Sequence, residues 1–195
     1  YHDELTEIFL RRNLIVHNGG IINNIYLSKL PKSKSTPQKL GEKILVNEKY
    51  LNEAIDKCEL VFLLLATEVS TKHGGECDNL FKLINNELAY KHIKEERYKY
   101  AEELCSFMRI NKSLSEASRN IASINYWLSV KSQGRYLDVK SEIDKFDVSA
   151  SRIEFVLAKY ALRDEKEKFF PLMIQILKKK IKADITLHDF EDWPL

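Results

Sequence analysis

Turn-forming residues are scarce in this sequence. Its 195 residues include 6 glycines and 4 prolines, too few for the many tight turns of a β-sandwich but ample for long helices. Between Tyr1 and about His17 the apolar residues Leu5, Ile8, Phe9 and Val16 recur at helical spacing. Gly19-Gly20 interrupts that pattern, and Ile21, Ile22, Ile25 and Tyr26 resume it as far as Leu30. Asn47-Glu48 reads as a helix cap followed by a first-turn acid. The helix it opens is expected to run to about His73 and to stop at Gly74-Gly75. Leu51, Ala54, Ile55, Cys58, Val61, Phe62 and Leu65 give it a broad apolar face, which implies cover from neighbouring helices on several sides.

Helix-sized units are expected at about 78–93, 95–109, 113–132, 149–163 and 165–181. Ser149-Ala150-Ser151 caps one of them. A final element near Thr186–Trp193 should pack Phe190 and Trp193 onto the body. Ala89-Tyr90 and Tyr100-Ala101-Glu102-Glu103-Leu104 resemble the antiparallel helix pairs of α-solenoid repeats, without a clean self-match at about 34 residues. No alternating, strand-type segment is found. The chain reads as all-α: a helical bundle over residues 1–75, then a repeat-like helical domain over 76–195.

Composition narrows the class. Charged residues at 31% against 44% hydrophobic describe a folded globular chain, and a net charge of +2 does not by itself mark a nucleic-acid binder. Any contact with RNA must come from a local patch. Cys58, Cys77 and Cys105 are odd in number and widely spaced, without a zinc pattern, so they are read as reduced thiols of a cytoplasmic protein. The apolar run Leu60–Ala66 is far short of the roughly 20 residues that cross a membrane, and no membrane partner is expected. The chain starts at Tyr1, within what already reads as helix, so opening helices of the bundle are expected to precede it.

The residues with the most chemical content are Arg11-Arg12-Asn13-Leu14-Ile15-Val16-His17-Asn18-Gly19-Gly20. Arginine is a permanently charged phosphate ligand, and histidine is the side chain that titrates near neutrality. An arginine four to six residues ahead of a histidine is cheap, with about 0.6 chance occurrences expected in a chain of this composition. An amide directly after the arginine lowers that to roughly 0.1 or less, and the aliphatic spacer lowers it further.

Arg12-Asn13-Leu14-Ile15-Val16-His17 resembles the signature of the HEPN superfamily: an arginine, a polar residue, a short spacer, a histidine. His17-Asn18-Gly19-Gly20-Ile21-Ile22-Asn23 is similar to bacterial members. The likeness covers residues 1–75 and is specific over about fifteen of them; the tyrosine that one subgroup carries two residues after the histidine is here Gly19. The resemblance implies a small helical bundle, commonly dimeric, and a metal-independent endoribonuclease of phage defence or toxin systems. RNA is then the substrate, a homodimer the active form, and residues 76–195 the surface for a regulatory protein partner.

The chemistry can also be built from the residues. Asn13 and His17 share a helix face, whereas Arg12 and His17 lie about 140° apart. Two copies facing each other across a twofold axis would bring both groups to one cleft. There His17 would act as general acid or base, Arg12 would hold the scissile phosphate, and Asn13 would orient His17 or a phosphate oxygen. Arg11 is the candidate for flanking phosphates, and Lys32 and Lys34, in the polar loop 31–39, are candidates for an RNA-facing arm. No metal or cofactor is expected, because no carboxylate cluster, P-loop, dinucleotide fingerprint or H-E-x-x-H motif occurs.

Each role has a plainer alternative. His17 would serve a helix C-terminus, with Gly19 supplying the turn. Arg11 would pair with Asp3, Glu4 or Glu7. Lys32 and Lys34 would belong to a solvated linker, Lys178-Lys179-Lys180 and Lys182 to a solvated helix end. His2, His73, His92 and His188 read as surface or helix-end residues, and Tyr126-Trp127 and Phe169-Phe170 as core. Against the nuclease stand a non-catalytic helical scaffold for dimerisation or nucleotide or protein binding, and a solenoid-like peptide binder over residues 78–181.

Overall fold

The structure is a computed structural model and describes residues 1–34, 39–73, 80–81, 83–148, 152–181 and 183. Gly74-Gly75, Cys77, Ser149-Ala150-Ser151, Lys182, His188 and the 186–193 element lie outside the described residues. The described chain is all-α. Its helices are α1 (His2–Asn18), α2 (Asn24–Lys29), α3 (Glu48–Lys72), α4 (Tyr90–Lys94), α5 (Tyr98–Arg109), α6 (Glu116–Ser132), α7 (Tyr136–Lys145), α8 (Ile153–Leu162) and α9 (Lys166–Leu177). A 3-10 turn spans Lys32–Lys34, and a π-helical stretch, Leu83–Ala89, leads into α4. The one departure from helical pairing is an isolated antiparallel bridge, Ile21 with Lys43. No described helix is long and apolar enough to cross a membrane.

The chain divides into two compact units, Tyr1–Ala66 and Thr67–Leu195. The division falls inside α3, ahead of the expected boundary at 75. In the first unit, α1 ends where Gly19 takes the left-handed conformation (φ 57°) that an L side chain resists, and Gly20 N–H donates to the Leu14 carbonyl at 2.9 Å. The chain then turns into the bridge: Ile22 N–H donates to Glu42 O and Ile44 N–H to Gly20 O. This folds Ile22 and Ile44 over Leu14 and Tyr26 as a small core, with Leu10, Leu27 and Leu30 around it. Helix α3 starts at the expected cap, where Asn47 Oδ1 accepts from Tyr50 N–H at 2.8 Å. Helix α2 starts at Asn24, later than the expected resumption at Ile21, because Ile21 is held in the bridge; Asn23 Oδ1 caps it by accepting from Tyr26 N–H at 2.8 Å.

The second unit repeats one turn four times among its described residues. After α4, α6, α8 and α9 stands a residue with positive φ: Glu96 (60°), Gly134 (76°), Asp164 (56°) and Lys179 (56°). The same two hydrogen bonds close each turn. In the first, Glu96 N–H donates to Ile93 O and Arg97 N–H to His92 O. Gly134 and Arg135 bond Lys131 O and Val130 O, Asp164 and Glu165 bond Ala161 O and Tyr160 O, and Lys179 and Lys180 bond Ile176 O and Gln175 O. Five residues beyond each of the first three turns stands a buried apolar side chain, Ala101, Val139 or Phe169. The first interval between turns exceeds, and the second falls short of, the about 34 residues of a regular helical repeat, which is why no self-match is found in the sequence.

The helices between the turns are packed and tied. Trp127 and Val130 of α6, Val139 and Ile143 of α7 and Leu162 of α8 share one core, and Leu157, Phe169 and Ile176 join α8 to α9. Gln133 Nε2 and Arg135 Nη1 both donate to Glu102 on α5, and Lys131 Nζ donates to Asp164 and to Ala161 O. Glu142 accepts from Trp127 Nε1 at 3.0 Å and from Arg109. Burial alone would raise its carboxyl pKa, but those two donors outweigh it and hold the group below the ordinary range.

Several expectations are corrected. Helix α7 was not anticipated between the units at 113–132 and 149–163. His92 lies in the last turn of α4, as expected of a helix-end residue, but it is buried, its ring 4.2 Å from that of Tyr100. Phe169 is core but Phe170 is 46% exposed. The apolar face of α3 is only partly covered: Ala54, Leu60 and Leu64 are buried, while Leu51, Ile55, Phe62 and Leu65 face solvent.

Candidate functional site

Helix α1 carries the motif on its last two turns. Successive residues advance by about 100°, so Leu10 and Leu14 face the small core while Arg12, Asn13 and His17 are left in solvent. Arg12 Nη1 donates to Asn13 Oδ1 at 3.1 Å, so the amide holds the guanidinium rather than the imidazole. Arg12 is one of the residues that line an open, largely apolar groove of about 500 Å³ between α1 and α3, with Ile15 and Val16 on its own side and Leu51, Ile55, Cys58 and Glu59 opposite. His17 does not line that groove. It stands in the last turn of α1, before the Gly19 turn, so the alternative in which it serves the helix end is also geometrically satisfied.

Arg11 takes the plainer of its two expected roles, an ion pair with Glu7, and not a place on flanking phosphates. Its Nε and Nη2 reach Glu7 Oε1 at 2.7 and 2.6 Å, and Nη1 donates to Leu45 O at 3.0 Å. Its guanidinium carbon lies 3.9 Å from the Tyr50 ring centroid, and the Tyr50 hydroxyl donates to Glu7 Oε2 at 2.8 Å. Burial and the Glu7 hydrogen bond push the Tyr50 hydroxyl pKa well above its ordinary value, so the phenol stays protonated as a donor. This strut fixes α1 against α3, and Arg11 is assigned to it rather than to RNA. The Glu7–Arg11 spacing of four was visible in the sequence; Tyr50, remote in the chain, carried no signal.

Lys32 and Lys34 are not brought to the motif. Ser33 Oγ donates to Asp3 Oδ2, which holds their turn at the opposite end of α1, about 20 Å along the axis from His17. Lys32 is exposed; the Lys34 side chain lies outside the described positions. The described thiols, Cys58 and Cys105, are free, and complete burial pushes Cys105 up to about 12. Among the described residues no group of three His, Cys, Asp or Glu side chains could hold a metal ion. Comparison with protein-family models, with curated proteins and with solved structures gives no match.

Proposed function

We propose that this chain is a metal-independent endoribonuclease of HEPN type, working as a homodimer in a phage-defence or toxin setting. The observation that carries the reading is the sequence Arg12–His17 on one helix end, with Arg12, Asn13 and His17 all open to solvent. Neutral His17 takes the proton from a ribose 2′-hydroxyl, whose oxygen attacks the adjacent phosphorus. Arg12 stabilises the charge that develops on the phosphoryl oxygens, oriented by Asn13. The P–O5′ bond breaks, and the imidazolium of the partner subunit's His17 protonates the leaving oxygen. The products are a 2′,3′-cyclic phosphate and a 5′-hydroxyl. The roughly 140° between Arg12 and His17 on one helix is why two chains are needed. The second unit would sense a regulatory protein.

The test is incubation of the purified chain with unstructured RNA in EDTA. Wild type should leave cyclic phosphate ends, and His17→Ala and Arg12→Ala should each lose at least about 100-fold in rate. Cleavage that survives both substitutions overturns the mechanism. The second reading, a non-catalytic scaffold, has the Gly19 turn behind it: His17→Ala then costs about 0.5 kcal/mol of helix-end stability and changes nothing on RNA.

A further inference from the structure

Residues 8–41 hold no aspartate or glutamate, but six lysines and arginines. In a chain with 29 acidic residues among 195, composition alone would put about five acids in a stretch of that length, so the local charge is strongly positive where the net charge is not. The fold sets one further cation against this stretch. Lys43 is the bridge partner of Ile21. The flanking hydrogen bonds, Ile22 N–H to Glu42 O at 2.9 Å and Ile44 N–H to Gly20 O at 2.8 Å, make theirs the close, non-hydrogen-bonded kind of pair, with both side chains on one face. Ile22 and Ile44 turn into the small core, so Ile21 and Lys43 turn outward, and both are exposed. Their face is tied to the last turn of α1: Ile21 N–H donates to Asn18 O, and Asn18 Nδ2 donates to Ile21 O. A Cβ at Gly20, three residues past His17, would stand 3.9 Å from Lys43 Cγ.

We infer that Lys43 holds a phosphate of the bound RNA adjacent to the one that is cut. The last turn of α1 carries the partial negative charge of a helix C-terminus, about half an elementary charge, and a neutral His17 does nothing to offset it. A fixed cation is needed there for a phosphate to approach. Lys43 is suited to the task. Among the described residues it makes no ion pair. Its neighbour Glu42 turns back into its own loop, where it accepts from Lys39 N–H at 3.1 Å. A lysine stem of four carbons reaches on the order of 6 Å, enough to meet a phosphate beside the end of α1 as a point charge. Lys43 thus takes the role that the sequence alone suggested for Lys32 and Lys34, which the fold keeps at the other end of the helix. RNA as the anion is taken from the proposed function; the cationic surface is not.

Fluorescence anisotropy of the whole chain with a 2′-O-methyl oligouridylate, which lacks the attacking hydroxyl and is not cut, tests it between about 50 and 200 mM salt. Lys43→Gln should weaken binding about fivefold at the lowest salt and flatten the slope of log affinity against log salt by about 0.7. Lys43→Arg should keep both, and so should the control Lys32→Gln at the far end of α1. Lys43 is exposed, so neither of its replacements removes core packing. A lysine that only served the helix end would move the melting temperature and leave the salt slope alone. Wild type that does not bind at about 100 µM, Lys43→Gln with the wild-type slope, or Lys43→Arg as weak as Lys43→Gln overturns the inference. Oligonucleotide held through Lys43, with no cleavage of the matching RNA, would sink the nuclease reading alone. Cleavage that needs Arg12 and His17, in a chain whose binding Lys43→Gln leaves unchanged, would sink this inference alone.

Discussion

In residues Tyr1–Ala66 the principal polar construction is a single strut, Glu7 held by Arg11 and Tyr50, and the main core cluster is Leu14, Ile22, Tyr26 and Ile44, with Ala54, Leu60 and Leu64 buried along α3. In Thr67–Leu195 one turn recurs after four helices, buried apolar residues fill the space between the helices, and Glu102, Lys131 and Glu142 bind side chains or carbonyls of other helices and turns. Among the described residues, thirteen of the nineteen exposed large hydrophobic residues belong to the first unit. The difference teaches that the second unit is built to satisfy itself, whereas the first keeps a large apolar surface for something else.

The comparison breaks most visibly in the core of the second unit. Leu104 is fully buried on α5, and Leu104→Ala should cost about 3–4 kcal/mol through lost transfer energy and the cavity left behind. Hydrogen exchange resolved by segment is the measurement. Loss of protection confined to Thr67–Leu195 supports two independently stabilised units. Equal loss through α1 and α2 would mean that the two unfold as one.

The strut of the first unit comes next. Glu7→Ala leaves a nearly buried guanidinium and a phenol hydroxyl without their shared acceptor, and should destabilise Tyr1–Ala66 by about 2–3 kcal/mol. Replacing the ion pair by hydrocarbon, Glu7→Leu with Arg11→Met, should cost less than Glu7→Ala alone, because no charge is then stranded. Denaturant titration of wild type and the two variants decides the point. A double variant as weak as Glu7→Ala would show that the strut contributes packing rather than charge pairing.

Much of this architecture was legible in the sequence, and the failures have physical reasons. Helices α1 and α3 could be bounded because their signals are local: a glycine in the left-handed region at Gly19, an amide cap at Asn47. Helix α7 carries a weak signal, because only Tyr136, Leu137, Val139 and Ile143 of its ten residues are apolar. The burial of His92 and the exposure of Phe170 were not legible because burial depends on which neighbour arrives, as Tyr100 does for His92. At the site, Arg12, Asn13 and His17 could be named from their order alone. The diversion of Arg11 to Tyr50 and Leu45 O, and the removal of Lys32 and Lys34 to the far end of α1, are products of tertiary structure.

The smallest expected effect sharpens the reading of the second unit most. If Glu96, Gly134 and Asp164 occupy one recurring turn, equivalent substitutions should have opposite signs. Gly134 has φ 76° and open space where a Cβ would stand, so Gly134→Ala meets no clash and should cost about 1 kcal/mol from backbone conformation alone. Glu96 adopts nearly the same backbone, φ 60°, with a side chain attached. Glu96→Gly should therefore stabilise by about 0.5–1 kcal/mol, despite glycine's larger loss of freedom on folding. Thermal melts should separate the two variants by several degrees on either side of wild type. Glu96 and Gly134 shifting Tm in the same direction would mean that the turns differ in what holds them, and the repeat would then be one of shape alone.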